Sequence, residues 1–88
     1  MRRFWIKFDV KFGERTYGVF LGCGVTAESR EDALRIAEKA VFRGDPMPRV
    51  LSVVEDVDVS TLDANHVMPN IGDPDKPGVW YPALNVRT

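Results

Sequence analysis

The chain of 88 residues has the composition of one small globular domain, with 44% hydrophobic and 28% charged residues. Its net charge of −1 argues against a protein that binds polyanions through bulk electrostatics. The single cysteine excludes an intrachain disulfide, and no apolar run approaches the roughly 18 residues of a membrane span. Arg2 and Arg3 precede an alternating segment rather than the continuous apolar region of a secretion signal, so we expect a cytoplasmic protein.

Two alternating segments predict a β-hairpin over residues 3–12 and 17–26, with its turn at 13–16. Side chains alternate between the faces of a strand, so each segment provides one apolar face. Pairing across the turn gives these partners: Phe4 with Val25, Ile6 with Cys23, Phe8 with Leu21, Val10 with Val19, and Phe12 with Tyr17. A slip of one residue would turn apolar side chains to the wrong face, and the register is therefore strongly specified.

An amphipathic helix is predicted over residues 30–43. Ser29 is a good N-cap, and Asp32 three residues later resembles the acid of a capping box. Gly44 is a natural stop. Phe42 falls on the polar side of the ideal helix, which leaves three alternatives: it folds inward as the helix frays, it lies under the C-terminal tail, or it contacts a partner.

Residues 49–59 predict a third strand, with Leu51 and Val53 directed inward. Val54 and Glu55 disturb the alternation, which indicates a bulge or twist there. A right-handed crossover through the helix can place this strand beside the first. The predicted fold is therefore α+β, a ββαβ unit whose three-stranded antiparallel sheet has the order 2-1-3 and carries one helix on one face.

The chain changes character near residue 60. We expect residues 1–60 to form the ββαβ core and residues 61–88 to form a Pro/Gly-rich C-terminal arm of the same domain. Four prolines of the arm exclude a long helix or a central strand, whereas its apolar residues, including Trp80 and Tyr81, argue against disorder. We therefore expect an ordered, extended arm over 64–84 that lies against the domain or a neighbouring subunit.

The predicted register also gives the hairpin a second face. It presents Trp5, Lys7, Asp9 and Lys11 against Gly24, Gly22, Phe20 and Gly18. Glycine weakens a strand unless something approaches its backbone closely, and the two aromatic side chains on this face need a cover. Three covers are open: the arm of the same chain, a second subunit in a two-fold dimer, or a separate macromolecule or small ligand.

Chemistry-bearing residues are few. Cys23 and His66 are the one nucleophile–base pair to consider, but Cys23 is predicted to face the core. Asp58 and Asp63 are a candidate pair for a divalent ion, yet Thr61 stands where a calcium loop needs glycine, so a solvated strand end is the preferred interpretation. We predict no catalytic residue, no metal site and no cofactor.

The stretch from Gly22-Cys23-Gly24 to Ala40-Val41 resembles the strand-to-helix segment of HicB-like antitoxin domains. In those domains a Gly-Cys strand end is followed by an acidic, alanine-leucine helix. The DNA-binding segment that this resemblance would imply has no counterpart here, because the proline-rich arm follows the ββαβ unit. The small size and scarcity of catalytic residues also resemble phage or mobile-element proteins that bind a host protein.

These observations predict a small non-enzymatic protein-interaction module that forms a homodimer in the cytoplasm and binds and modulates a host protein. The alternative is nucleic-acid or small-ligand binding on the second sheet face, through Lys7 and Lys11 beside the aromatic residues. The predicted partner-binding residues are Trp5, Lys7, Lys11, Phe20, Phe42, Trp80 and Tyr81.

Overall fold

The computed structural model describes residues 1–10, 19, 21–43, 45–65 and 67–82. Within these residues the strands are β1 (Arg2–Phe8), β2 (Cys23–Ala27), β3 (Val50–Glu55) and β4 (Gly78–Tyr81). The α-helix α1 (Arg30–Ala37) continues into a π-helical turn, Glu38–Phe42, and two short 3-10 turns lie at Val59–Thr61 and Met68–Asn70.

The strands form one antiparallel sheet in the order β3-β1-β2-β4. The predicted α+β class is confirmed, and β1 lies between β2 and β3. The prediction of three strands is wrong, and the order changes with it, because the arm adds β4 to the free edge of β2. Pro77 and Pro82 bound this four-residue strand, and proline is tolerated at the ends of an edge strand.

The predicted hairpin register is confirmed where the two strands pair. Phe4 lies opposite Val25 and Ile6 lies opposite Cys23, so their side chains share the face covered by α1. This agreement follows from the period of two, since only one register buries both apolar faces together.

Among the described residues, the pairing of β1 with β2 ends at Ile6 and Cys23. Gly22 has a φ of 140°, which takes the backbone out of strand conformation before β2 begins at Cys23. The N–H of Gly22 donates instead to the carbonyl of Val19 at 3.0 Å. The predicted pair of Phe8 with Leu21 is therefore wrong. The turn at 13–16 and the predicted pair of Phe12 with Tyr17 lie outside the described residues.

β3 carries its irregularity at a different place from the predicted one. The register with β1 shifts between Lys7 and Phe8, so that Phe8 pairs with Val50 and Lys7 pairs with Ser52. Leu51 is thus the extra residue of a bulge, and its side chain is 56% exposed. The predicted inward direction of Leu51 is wrong because the bulge changes the phase of the strand after Val50.

The helix begins as the sequence predicts. The Ser29 hydroxyl accepts a hydrogen bond from the backbone N–H of Asp32 at 3.2 Å, which confirms the N-cap. The α-helix ends at Ala37, earlier than expected, and the π-helical turn carries the chain to Arg43, whose φ of 52° is left-handed. Gly44, the predicted stop, lies outside the described residues.

The main core lies between α1 and the sheet, with α1 packed on β2 and β4. Val53, predicted to point inward, is half-buried against this core, as is Val50. The buried members of the core are Phe4, Ile6, Phe8, Val19, Cys23, Val25, Ala27, Ala33, Ala37, Val41 and Phe42. Among the described residues, no helix is long and apolar enough to cross a membrane.

Candidate functional site

An aromatic cluster of Trp5, Trp80 and Tyr81 occupies the second face of the sheet. The ring of Trp5 lies 5.9 Å from that of Trp80 and 5.5 Å from that of Tyr81, between centroids, both at tilted angles. Val57 and Val67 complete this second apolar core, in which Trp5 is 6% exposed and Trp80 is 1% exposed. In this structure the arm of the same chain therefore covers Trp5.

Two of the glycines on this face are explained by the indole rings that lie on them. A Cβ atom at Gly22 would lie less than 3.0 Å from the Trp5 ring, and one at Gly24 would lie less than 3.0 Å from the Trp80 ring. The prediction that something approaches these backbones closely is confirmed. Gly18 lies outside the described residues.

The predicted partner-binding residues do not form one accessible surface. Trp5, Trp80 and Tyr81 are buried against one another. Phe42 is also fully buried, because the π-helical turn rotates it inward, and its ring meets that of Phe8 edge-to-face at 5.3 Å and 81°. Lys7 is exposed. Lys11 and Phe20 lie outside the described residues.

The one thiol is poorly suited to nucleophilic chemistry. Cys23 is completely buried in the main core, and this burial raises the pKa of its thiol to about 12. A thiol with so high a pKa is protonated at neutral pH, whereas the thiolate is the reactive form. His66, its predicted base, lies outside the described residues.

The acidic segment after β3 forms a local turn. The Asp58 carboxylate accepts hydrogen bonds from the backbone N–H of Ser60 at 3.0 Å and from the Ser60 hydroxyl at 2.7 Å, and these bonds lower the pKa of Asp58. Asp63 caps the next turn by accepting from the N–H of Asn65 at 2.8 Å. No group of three or more potential metal ligands of the His, Cys, Asp and Glu types occurs among the described residues.

A polar groove of about 420 Å³ lies at the end of the sheet where the chain begins. Its charged side chains already have partners, since Arg2 pairs with Glu55 at 2.6 Å and lies 3.8 Å from Asp56, and Arg3 pairs with Asp75. The Thr26 hydroxyl donates to the carbonyl of Pro74 at 2.6 Å and ties the arm to β2. The residues that line the groove are Met1, Arg2, Arg3, Thr26, Asp56, Val57, Pro74 and Asp75.

β3 forms an open edge of the sheet, which we call the β3 edge. β1 lies on one side of β3, and no strand of the described chain lies on the other. Leu51 is 56% exposed and Val54 is 47% exposed, and with Met1 they are the exposed large hydrophobic residues of the described chain. Such an edge offers unpaired backbone N–H and C=O groups beside apolar side chains.

The two edges of the sheet differ in their protection against further pairing. β4 has four residues and lies between two prolines. β3 has six residues, from Val50 to Glu55, without a proline or a lysine. Short strands, proline, lysine and bulges are the usual means of blocking an edge. β4 is short and bounded by proline at both ends, whereas the residues of β3 after its bulge, 52–55, contain neither proline nor lysine.

The sequence held a partial signal for the β3 edge. Val54 and Glu55 disturbed the predicted alternation, and Val54 proves to lie opposite Trp5, on the face away from α1. Leu51 gave no such signal, because simple alternation assigned it to the core. Without the position of the bulge, the two exposed side chains could not be recognised as lying on the same open edge.

Comparisons with known proteins return no relative. No protein-family model, no curated protein and no solved structure matches the chain.

Proposed function

We propose that the chain is a small non-enzymatic protein-interaction module whose partner adds a β-strand to the β3 edge. The observation that carries this proposal is the exposure of Leu51 and Val54 on the unprotected edge strand. Strand addition gives affinity through main-chain hydrogen bonds and specificity through the side chains beside them. The β3 edge supplies both kinds of contact.

The apolar contribution can be estimated from the exposed side chains. Complete burial of a valine or leucine side chain stabilises by about 1.5–3 kcal/mol, and about half of each of these side chains is still exposed. Covering Leu51 and Val54 together therefore contributes roughly 1.5–3 kcal/mol before the cost of association. This modest figure favours an interface that is formed and released rather than a permanent one.

The burial of the aromatic cluster directs the proposal to this edge rather than to the second sheet face. Trp5, Trp80 and Tyr81 already contact one another, so a partner would have to displace the arm to reach them. The burial of Cys23 in the main core likewise supports a non-enzymatic role. In its more specific form the proposal is that a phage or mobile-element protein modulates a host protein through this edge.

A photoreactive amino acid placed at position 51 tests the proposal. The matched control carries the same group at Glu31, an exposed position in the first turn of α1. Each variant is produced in its native cell, irradiated, recovered under denaturing conditions and digested, so that the crosslinked peptides can be sequenced. We expect position 51 to yield discrete polypeptide adducts that position 31 does not yield.

The identity of the crosslinked peptide separates the forms of the proposal. A peptide from another protein names the partner and tests the host-protein form directly. A peptide from a second copy of the chain indicates self-association. Equal and diffuse labelling from positions 51 and 31 would show that the β3 edge has no specific partner, and the proposal would then be abandoned.

A further inference from the structure

We propose that the β3 edge binds a second copy of this chain, with two β3 strands paired antiparallel about a two-fold axis. This inference rests on the proposed function and names its partner. It would join two four-stranded sheets into one continuous sheet, with β4 at each outer edge. A two-fold contact of this kind uses the same patch on both subunits, so the patch must be complementary to itself.

The charges at the ends of β3 meet this requirement. Arg49 precedes the strand and its side chain is 76% exposed, while Glu55 and Asp56 stand at the other end with side chains 38% and 65% exposed. Every antiparallel register that overlaps most of β3 brings Arg49 of one copy near the acidic pair of the other. The edge is thus complementary in charge to itself.

The ion pairs already present do not hold these groups firmly. Arg49 lies 3.1 Å from Asp9. Arg2 lies 2.6 Å from Glu55 and 3.8 Å from Asp56, and Arg30 lies 3.5 Å from Glu55. Each of these side chains is at least 38% exposed to solvent. Exposed ion pairs of this kind contribute little, so their rearrangement on association costs little. The charges therefore favour one orientation of the partner strand and leave most of the affinity to the backbone and apolar contacts.

The apolar residues are also placed for a symmetric contact. Leu51 lies near the start of β3 and Val54 near its end, so antiparallel pairing brings the apolar residues of the two copies together across the axis. The net charge of −1 adds almost no repulsion between copies. An unrelated partner would have to match both features, whereas a second copy matches them by symmetry.

Sedimentation velocity on the purified chain tests the inference between about 1 and about 500 µM, the range in which a small interface assembles. The test variant is Val54→Lys, which places a charge on the β3 edge. The control is Ala64→Lys, which adds the same charge at an exposed position of the arm. Because a two-fold contact contains each substitution twice, we expect Val54→Lys to weaken the dimer roughly tenfold or more and Ala64→Lys to leave it unchanged.

Far-UV circular dichroism identifies any variant that fails to fold, and Leu51→Lys, at the exposed residue of the bulge, then replaces Val54→Lys. A wild-type chain that stays monomeric throughout the range overturns the second copy as the partner. Specific crosslinking of position 51 to another protein would in that case still support the proposed function. If the folded edge variant, Val54→Lys or its replacement Leu51→Lys, dimerises as strongly as Ala64→Lys, the contact lies elsewhere and the inference is overturned.

Discussion

Replacement of Gly24 by alanine tests the position of the Trp80 ring, because that ring decides whether the substitution raises or lowers the free energy of unfolding. The new Cβ would lie 2.5 Å from ring atoms of Trp80, and Gly24 is in the second strand of the sheet, where the backbone has little room to move. Overpacking of a close-packed core costs about 1–3 kcal/mol. Alanine also reduces the conformational freedom of the unfolded chain, which stabilises the folded state by about 0.4–1 kcal/mol. A net loss of roughly 1–2 kcal/mol in the free energy of unfolding is therefore expected.

The same substitution should become favourable once the ring is removed. Trp80 is almost completely buried, so Trp80→Leu is itself destabilising, by about 1–3 kcal/mol on the scale of large core truncations. In the Trp80→Leu background the new Cβ at position 24 no longer contacts an indole ring. Only the stabilisation of about 0.4–1 kcal/mol from the less flexible unfolded chain remains. The four proteins form a double-mutant cycle with an expected coupling of roughly 1–3 kcal/mol.

Urea denaturation followed by far-UV circular dichroism measures this cycle without using tryptophan fluorescence, which Trp80→Leu would alter. A change of 1 kcal/mol corresponds to a shift of about 4–8 °C in the Tm of a domain of this size, so thermal melts provide a second readout. Gly22→Ala is the matched contrast, because its φ of 140° strains an alanine even when Trp5 is truncated. Equal effects of Gly24→Ala in both backgrounds would refute the proposed contact.

Three further predictions concern the helix, the buried thiol and the arm. Ser29→Ala should lower the free energy of unfolding by about 1 kcal/mol, because the N–H of Asp32 loses its capping acceptor, and Ser29→Asp should retain most of the stability in the same melts. Burial raises the pKa of Cys23 from 9.0 to about 12, so the unfolded chain loses the thiol proton at a lower pH than the folded chain does. The free energy of unfolding should therefore fall as the pH rises from 9.0 towards about 12, and it should fall less steeply in Cys23→Ala. Thr26→Val should cost about 1–2 kcal/mol by leaving the Pro74 carbonyl unpaired, and a loss no larger than that of a surface substitution would show that this bond does not hold the arm.

The elements that the sequence predicted correctly are those with strong local signals. The pairs of Phe4 with Val25 and of Ile6 with Cys23 follow from alternation alone, because any other register exposes apolar side chains. Ser29 was identifiable as an N-cap because capping depends on the residue type and its immediate neighbours. The close approach to Gly22 was likewise indicated by glycine within a strand that faces aromatic residues.

The features that escaped prediction depend on contacts distant in sequence. β4 is too short for a period of two to be visible, and it forms only because β2 offers a free edge while Trp80 finds a surface at Gly24. The bulge at Leu51 is set by the pairing with β1 and has no sequence signal of its own. Phe42 turns inward through a π-helical turn that ideal helical geometry does not include.

The sequence therefore located the second sheet face as unusual and left its cover open between the arm, a second subunit and a separate ligand, and in the structure the arm covers it. Its tryptophans and glycines are explained by a contact within the chain, which makes the aromatic cluster a second core. The β3 edge, where the structure leaves apolar side chains and backbone groups exposed, takes its place as the candidate binding surface.

Amide hydrogen exchange of β3 at low and high protein concentration tests this account most directly. If two β3 edges pair, amides within Val50–Glu55 should exchange more slowly at about 500 µM than at about 1 µM, because pairing converts solvent-exposed N–H groups into hydrogen-bonded ones. The amides of β4, on the protected edge, should exchange equally at both concentrations. Exchange of β3 that is independent of concentration, or protection that appears at β4 or the polar groove instead, would contradict the account.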